Sequence, residues 1–155
     1  MNKRIAIFPG SFDPITKGHE NILRRALPLF DEIIIAIGKN SSKDSYFSLE
    51  QREKWIKQVF GNEPKVRTET YTGLTIEFCK KMNANFILRG LRTSADFEFE
   101  KSIAQNNKLM ATNIETIFIL PIPELSAINS TIVRDIVRNG GDASQFVPNG
   151  IDLKV

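Results

Sequence analysis

The sequence predicts an α/β fold, a doubly wound parallel sheet of five strands with helices on both faces. Three observations favour this class. Short apolar runs alternate along the chain with segments of helical period. Most of these runs are continuously apolar, as parallel strands are when helices cover both faces of their sheet. The repeated order of strand and helix is the order that right-handed crossovers between parallel strands produce.

The individual elements follow from the same pattern. Strands are predicted over residues 4–8, 32–38, 65–71, 85–88 and 115–120. Helices are predicted over residues 18–26, 49–60, 74–82, 95–110 and 130–138, with Thr16, Ser48 and Asn129 as N-caps and with Pro28 kinking or ending the first helix. The polar segment from Gly140 onward is expected to make a short excursion on the surface. Because no linker or repeat divides the chain, residues 1–155 are predicted to form one domain of Rossmann-like type.

Composition excludes several classes of protein. A chain of 155 residues has the size of one domain and needs no disulfide to stabilise its core. A single cysteine, Cys79, and a single histidine leave no Cys- or His-rich metal cluster, and we expect Cys79 and Trp55 to lie in the core. No apolar run approaches the ~20 residues of a membrane span, and no signal peptide is apparent. These features predict a cytoplasmic protein that needs no membrane.

The charge balance says something about partners. The formal net charge is +3, and no block rich in lysine or arginine stands out. Nucleic acid is therefore not expected as a partner. Several basic residues instead fall in loops beside glycines, where small anions bind, so the pattern favours a phosphorylated small molecule.

Chemistry is expected in the loops at the carboxyl ends of the strands, where ligands collect in open α/β sheets. The first loop runs from Pro9 to His19 and leads directly into the first helix. Gly10 and Gly18 permit a close approach of the backbone, and the helix N-terminus offers free N–H groups to an anion. We expect the imidazole of His19 to point at the same anion. The alternative is an ordinary surface histidine at a helix start.

Three further loops carry candidate groups. Arg-Gly-Leu-Arg at 89–92 follows the fourth strand, and Asp-Phe-Glu-Phe-Glu at 96–100 comes soon after it. Guanidinium groups suit phosphate because they donate two hydrogen bonds at once. Ser-Ser-Lys at 41–43 follows the second strand, and the segment 125–131 offers hydroxyls and helix amides after the fifth. Each of these also has a plainer interpretation, as solvated arginines, a solvated lysine or an N-cap at Asn129.

Together these blocks resemble the bacterial phosphopantetheine adenylyltransferases of the nucleotidyltransferase superfamily. Thr-Lys-Gly-His at 16–19 is similar to the superfamily signature, and the longer string Phe-Pro-Gly-Ser-Phe-Asp-Pro-Ile-Thr at 8–16 narrows the likeness. The blocks at 89–92 and 96–100 match that family in spacing and order. The likeness extends from about residue 4 to 148. Two positions depart from it, Leu125 in place of an aromatic residue and Asn129 in place of a serine.

The resemblance implies transfer of the adenylyl group of ATP to 4′-phosphopantetheine, giving dephospho-coenzyme A and pyrophosphate in coenzyme A biosynthesis. It implies that His19 is the catalytic residue, a donor to the transition state. The residues that it assigns to phosphopantetheine are Ser11, Lys43, Thr75 and Arg89. The residues that it assigns to ATP are Ser11, Phe12, His19, Gly90, Leu91, Arg92, Glu100, Leu125, Ser126, Ala127, Ile128, Asn129, Ser130 and Thr131.

The resemblance also implies Mg²⁺ that arrives with ATP rather than in a metal site of the protein, a homohexamer, and feedback inhibition by coenzyme A. Two alternatives remain open. One is another nucleotidyltransferase of the same fold, such as a cytidylyltransferase or a nicotinamide-nucleotide adenylyltransferase, and the block from Arg89 to Glu100 argues against it. The other is a regulatory nucleotide-binding module without turnover. The presence of His19, Lys43 and Arg89 argues against that alternative.

Overall fold

The computed structural model describes residues 2–39 and 44–155. Within these residues, the strands are β1 (Ile5–Gly10), β2 (Glu32–Gly38), β3 (Val66–Tyr71), β4 (Phe86–Gly90) and β5 (Glu115–Ile119). The α-helices are α1 (Lys17–Ala26), α2 (Leu49–Phe60), α3 (Thr75–Lys81), α4 (Ser94–Met110) and α5 (Ser130–Arg138). Short 3-10 turns lie at Leu27–Leu29, Pro123–Leu125 and Ser144–Phe146. Every predicted strand and helix is present, with bounds that differ from the prediction by two residues or fewer.

The sheet is parallel throughout and has the strand order β3-β2-β1-β4-β5. The chain therefore winds outward from β1 through β2 to β3, and then crosses back to place β4 and β5 on the other side. The β1–β2 pairing extends from Ile5 to Gly10. The β1–β4 pairing includes only Ala6 with Phe86 and Ile7 with Ile87. Strands β1 and β4 consequently separate beyond Ile7. This is the point where the strand order reverses, and open α/β sheets bind ligands there.

Helices cover both faces of the sheet, as predicted. Alternate residues of β2 belong to different clusters, because successive side chains of a strand point to opposite faces. Ile33, Ile35 and Ile37 join the cluster that includes Trp55 and the buried residues of α1, α2 and α5. Ile34 and Ala36 join the cluster that includes Cys79 and the buried residues of α3. The predictions that Trp55 and Cys79 lie in the core are confirmed.

The prediction for the C-terminal segment is wrong. Ala143, Val147 and Ile151 are buried and belong to the cluster that contains α1, α2 and α5. The side chain of Gln58 also donates a hydrogen bond to the carbonyl of Gly150 over 2.7 Å. These three apolar residues are spaced four apart in a segment that is mostly polar, so its average composition conceals its contribution to the core.

Helix α4 differs from the other helices. It is 17 residues long, and Glu100 is its one buried side chain. Its exposed apolar side chains are Phe97, Phe99, Ile103, Leu109 and Met110. No helix in the range 2–39 or 44–155 combines the length and the apolar character that crossing a lipid bilayer requires.

Candidate active site

A cavity of about 330 Å³ occupies the opening between β1 and β4 at the carboxyl edge of the sheet. Its walls come from the β1–α1 loop, the end of β4, and the first turns of α1, α4 and α5. The predicted site residues that line it are Ser11, Phe12, His19, Arg89, Gly90, Arg92, Glu100, Ile128, Asn129, Ser130 and Thr131. The fold therefore brings together residues that are up to 120 positions apart in the sequence.

The remaining predicted residues lie elsewhere. Thr75 lines an adjacent cavity of about 200 Å³, which shares Pro9, Gly10, Arg89 and Glu100 with the first. Leu91 is buried in the protein interior. The residues Leu125, Ser126 and Ala127 form the 3-10 turn and its exit beside the first cavity without lining it. Lys43 lies outside the described residues.

The backbone of the β1–α1 loop is strained next to the cavity. Phe12 has a φ of +47°, a left-handed conformation that is rare for a bulky residue and persists only where its surroundings enforce it. Its buried ring packs edge-on against Phe8 and His19, with ring centroids 5.5 Å and 4.9 Å away. A Cβ on Gly10 would come within 3.1 Å of that ring. Glycine at position 10 therefore allows Phe12 to lie against the strand end.

His19 completes the N-cap of α1. Thr16 Oγ1 accepts the backbone N–H of His19 over 3.3 Å, and His19 Nδ1 accepts the backbone N–H of Thr16 over 3.0 Å. An Nδ1 that accepts a hydrogen bond places the hydrogen of the neutral imidazole on Nε2. The predicted capping role of Thr16 is confirmed, and His19 has a part in the same capping box that the sequence did not indicate.

The electrostatic surroundings keep His19 neutral. Burial, the largest cause, and the positive charges of Arg89 and Arg92 together lower the pKa of His19 to about 4. At neutral pH the side chain is therefore a neutral imidazole with its N–H at Nε2. Such a group donates a hydrogen bond to phosphate without adding a positive charge.

Arg89 stands on the border between the two cavities and is held in place from two sides. Its Nε and Nη2 donate to the carboxylate of Glu100 over 3.0 Å and 2.5 Å. Its Nη1 donates to the carbonyl of Pro9 over 2.7 Å. That carbonyl points toward β4 beyond the end of the β1–β4 ladder, so the side chain of Arg89 replaces the missing strand partner. Pro9 has no backbone N–H, and the position of that group is also on the side of β4, so its absence does not interrupt the pairing with β2. For this reason β1 continues through Pro9 to Gly10 instead of ending at Phe8 as predicted.

Two further arginines reach the first cavity. Arg92 contacts the carboxylate of Asp96 and the carbonyl of Ile128, both over 3.2 Å. Arg134, on α5, donates to the carbonyl of Asp13 over 2.8 Å and to Thr131 Oγ1 over 3.1 Å. Sequence reasoning missed Arg134, although its spacing from Ser130 and Thr131 puts it on the same helical face. Together with Arg89, these residues place three guanidinium groups at the cavity, against two carboxylates, those of Asp96 and Glu100. The resulting excess of positive charge favours a polyanionic ligand.

Other predicted side chains are engaged in the structure. Asn129 Oδ1 accepts the backbone N–H of Ile132 over 2.9 Å, as a helix N-cap does. Ser130 Oγ donates to the carbonyl of Pro14 over 2.8 Å and ties α5 to the β1–α1 loop. Asn129, Ser130 and Thr131 all line the cavity, so the start of α5, whose first backbone N–H groups have no partner within the helix, lies beside it.

Comparison with known proteins identifies the class. The family model described as cytidylyltransferase-like matches residues 7–136. The fold and the site therefore define this protein as a nucleotidyltransferase, and the chain belongs to the cytidylyltransferase-like family. The phosphopantetheine adenylyltransferase of Flavobacterium psychrophilum is 58% identical over 151 residues, which is 97% of this chain and 99% of that protein. The chain therefore belongs to the phosphopantetheine adenylyltransferase family.

More distant relatives agree with this assignment. The phosphopantetheine adenylyltransferase of Bacteroides thetaiotaomicron is 46% identical over 150 residues, covering 97% of this chain and 99% of that protein. Among solved structures, a bifunctional NMN adenylyltransferase/ADP ribose pyrophosphatase from Francisella tularensis superposes with a TM-score of 0.70 at 21% identity. That superposition covers 94% of this chain and 45% of the other. At such low identity, it shows a shared fold.

Proposed function

We propose that this protein transfers the adenylyl group of ATP to 4′-phosphopantetheine, giving dephospho-coenzyme A and pyrophosphate. The observation that carries the proposal is the position of Arg89 between two adjoining cavities that share Pro9, Gly10 and Glu100. The cavity of about 330 Å³ suits a nucleoside triphosphate, and the cavity of about 200 Å³ extends toward α3 and α4. Two substrates bound in these cavities would bring their phosphates together at Arg89.

On the nucleotide side, the proposed contacts are hydrogen-bond donors. His19 Nε2 and the backbone N–H groups at the start of α1 would face the α-phosphate. Arg92, Arg134 and the first N–H groups of α5 would bind the outer phosphates. Glu100 would act through Arg89, because both of its carboxylate oxygens accept hydrogen bonds from that guanidinium.

On the acceptor side, Arg89 would hold the phosphate of phosphopantetheine, with Ser11 beside it. We propose Lys43 as a second phosphate ligand on the strength of the family motif alone. Thr75 Oγ1 is within 2.9 Å of the hydroxyl of Tyr71. Because the hydroxyl of Thr75 already has a hydrogen-bond partner in Tyr71, we propose that Thr75 contacts the pantetheine arm through its backbone.

The chemistry requires alignment more than acid–base catalysis. The acceptor phosphate is an anion and a competent nucleophile, so it needs no general base. An oxygen of that phosphate would form the new bond to the α-phosphorus of ATP, while the bond from that phosphorus to the departing pyrophosphate breaks. Donors that are already in place where negative charge accumulates lower the barrier of such a step. His19 fits this role because its capping hydrogen bonds fix the orientation of the ring.

Magnesium would enter with the nucleotide. Among the described residues, no group of three His, Cys, Asp or Glu side chains could hold a metal ion. The carboxylates of the first cavity, Asp96 and Glu100, are both paired with arginines. We therefore propose that phosphate oxygens of the nucleotide would supply the ligands of Mg²⁺, and that the ion would neutralise charge on the triphosphate and the leaving pyrophosphate.

Three further properties are proposed from the family. The first is a homohexamer, and the exposed apolar side chains of α4 support self-association because patches of this kind mark interaction surfaces. The second is feedback inhibition by coenzyme A, which shares its pantetheine arm with the acceptor. The third is a cytoplasmic location.

A panel of acceptors tests the proposed reaction. Pyrophosphate release from Mg-ATP is measured with 4′-phosphopantetheine, with pantetheine, and with nicotinamide mononucleotide. We expect turnover with 4′-phosphopantetheine only, because pantetheine presents no phosphate to Arg89. Replacing ATP by CTP should abolish turnover. Equal turnover with nicotinamide mononucleotide or with CTP would favour one of the other nucleotidyltransferases, and no turnover with any acceptor would favour the regulatory module.

A further inference from the structure

Arg52 is a buried charged residue that the reaction scheme does not use. It lies in the first half of α2 and is only 5% exposed. Burying a guanidinium group costs free energy unless its donors are well satisfied. That cost shows in the pKa of Arg52, which burial lowers from its ordinary value while the negative charge of Asp13 acts in the opposite direction. Because burying this guanidinium group costs free energy, we expect Arg52 to have a specific role.

The contacts of Arg52 connect three parts of the fold. Its Nη1 donates to the carbonyl of Ser11 over 2.7 Å, and its Nε donates to the carbonyl of Phe47 over 3.1 Å. The buried carboxylate of Asp13 accepts the backbone N–H groups of Tyr46 and Phe47 over 2.7 Å and 2.9 Å. Three of these hydrogen bonds, those accepted by Ser11 and Asp13, tie the loop after β1 to the start of α2 and the residues before it, and the fourth joins Arg52 to Phe47.

The hydrogen bond to Ser11 fixes the direction of one peptide group. The carbonyl of Ser11 and the N–H of Phe12 belong to the same trans peptide, in which they point in opposite directions. Because Arg52 holds the carbonyl on its own side, the N–H of Phe12 points away from Arg52. Phe12 lines the cavity between β1 and β4, whereas Arg52 does not, so the side away from Arg52 is the side of that cavity. Within 2–39 and 44–155, the N–H of Phe12 has no acceptor.

We propose that Arg52 is a positioning residue that holds the Ser11–Phe12 peptide so that the N–H of Phe12 donates to a phosphate oxygen of the bound nucleotide. The inference rests on the proposed adenylyl transfer. It also explains the left-handed φ of Phe12, +47°, which needs enforcement from its surroundings. Arg52 holds one end of this residue, and the packing of its ring between Phe8 and His19 holds the other.

Replacing Arg52 by lysine tests this role without removing the positive charge. A single ammonium group cannot reproduce the fork that reaches both carbonyls. We expect kcat of Arg52→Lys to fall by roughly 10- to 100-fold, the effect of a slightly misplaced donor, while the KM for 4′-phosphopantetheine changes by less than about threefold. Lys54→Gln is the matched control, because Lys54 is exposed on the same helix, and it should retain wild-type kcat. Thermal unfolding of both variants reports whether the fold is intact.

Chemical rescue separates positioning from a merely structural role. Arg52 and Ser11 border a third, open cavity, distinct from the two described above, so a small cation can reach the space that Arg52→Ala vacates. Guanidinium at a concentration that does not denature the protein should restore part of the kcat of Arg52→Ala. Urea, which is a neutral isostere, should not restore it. Wild-type kcat in Arg52→Lys, or a loss in Arg52→Ala that guanidinium cannot reverse, would overturn the proposal.

A spectroscopic readout keeps this test independent of turnover. In the wild-type protein, addition of Mg-ATP should move the amide proton resonance of Phe12 downfield, as a new hydrogen bond to phosphate does, and in Arg52→Lys the movement should be lost. A shift of equal size in both proteins, or no shift in the wild type, would contradict the role of Arg52. A shift that depends on Arg52 in a protein that does not turn over phosphopantetheine would refute the proposed reaction while supporting this inference.

Discussion

Replacing His19 by alanine removes three interactions that can be measured separately. The imidazole supplies the Nε2–H donor, the acceptor for the backbone N–H of Thr16, and a ring that packs against Phe12 at 4.9 Å. Loss of one preorganised donor should lower kcat by roughly 10²–10³, or about 2.7–4 kcal/mol of transition-state stabilisation. Loss of the capping hydrogen bond should lower the free energy of unfolding by about 0.5–1.5 kcal/mol.

The assay combines steady-state kinetics, calorimetric titration with ATP and urea denaturation. ATP affinity should weaken far less than kcat, because a contact made only in the transition state adds little to ground-state binding. His19→Gln is the matched control. Glutamine at the third helical position completes a capping box, so it should restore the free energy of unfolding while kcat stays below the wild-type value. Near-normal kcat in His19→Ala, or equal losses in kcat and ATP affinity, would refute the reasoning.

Three further predictions concern charge. The folded-state pKa of His19 is about 4 against 6.5 ordinarily, so the unfolded chain binds more protons between these values, and the free energy of unfolding should fall as the pH drops through this window, by at most about 3 kcal/mol. Urea denaturation at several pH values measures this, and His19→Ala should lose that component of the pH dependence. Arg89→Ala should raise the KM for 4′-phosphopantetheine roughly 10- to 100-fold by removing charge-assisted hydrogen bonds to its phosphate, with ATP affinity much less affected; a comparable fall in ATP affinity would contradict the assigned division of the site. Arg134→Ala should weaken calorimetric ATP binding by roughly tenfold or more and leave the KM for the acceptor nearly unchanged, whereas unchanged ATP binding would remove Arg134 from the nucleotide side.

The fold could be predicted from the sequence because its signals are local. Apolar runs in β1 and β2 identify buried strands, and Thr16, Ser48 and Asn129 accept the capping hydrogen bonds expected of them. The strand order could not be obtained in this way, because it depends on which strands pair across long crossovers. The early end of the β1–β4 ladder, which opens the cavity, is likewise a property of the assembled sheet.

The candidate site was predictable where a motif is contiguous and not where side chains meet through the fold. The loop from Pro9 to His19 and the block from Arg89 to Glu100 each identify themselves in the sequence. The pairing of Arg89 with both Glu100 and the carbonyl of Pro9 does not, since it depends on the separation of β1 from β4. Arg52 and Arg134 escaped notice for a related reason. Each lies on a helix of ordinary composition, and only the tertiary structure directs its guanidinium to the β1–α1 loop.

The fate of the α-phosphate of ATP tests the central claim most directly. The protein is incubated with 4′-phosphopantetheine and Mg-ATP that is radiolabelled at either the α- or the γ-phosphate, and the products are separated by chromatography. The account predicts that the α-label appears in dephospho-coenzyme A and the γ-label in pyrophosphate. The reason is that the acceptor phosphate attacks the α-phosphorus, and the β- and γ-phosphates leave together. A γ-label that appears in the pantetheine product, or an α-label that remains in ADP or AMP, would contradict adenylyl transfer.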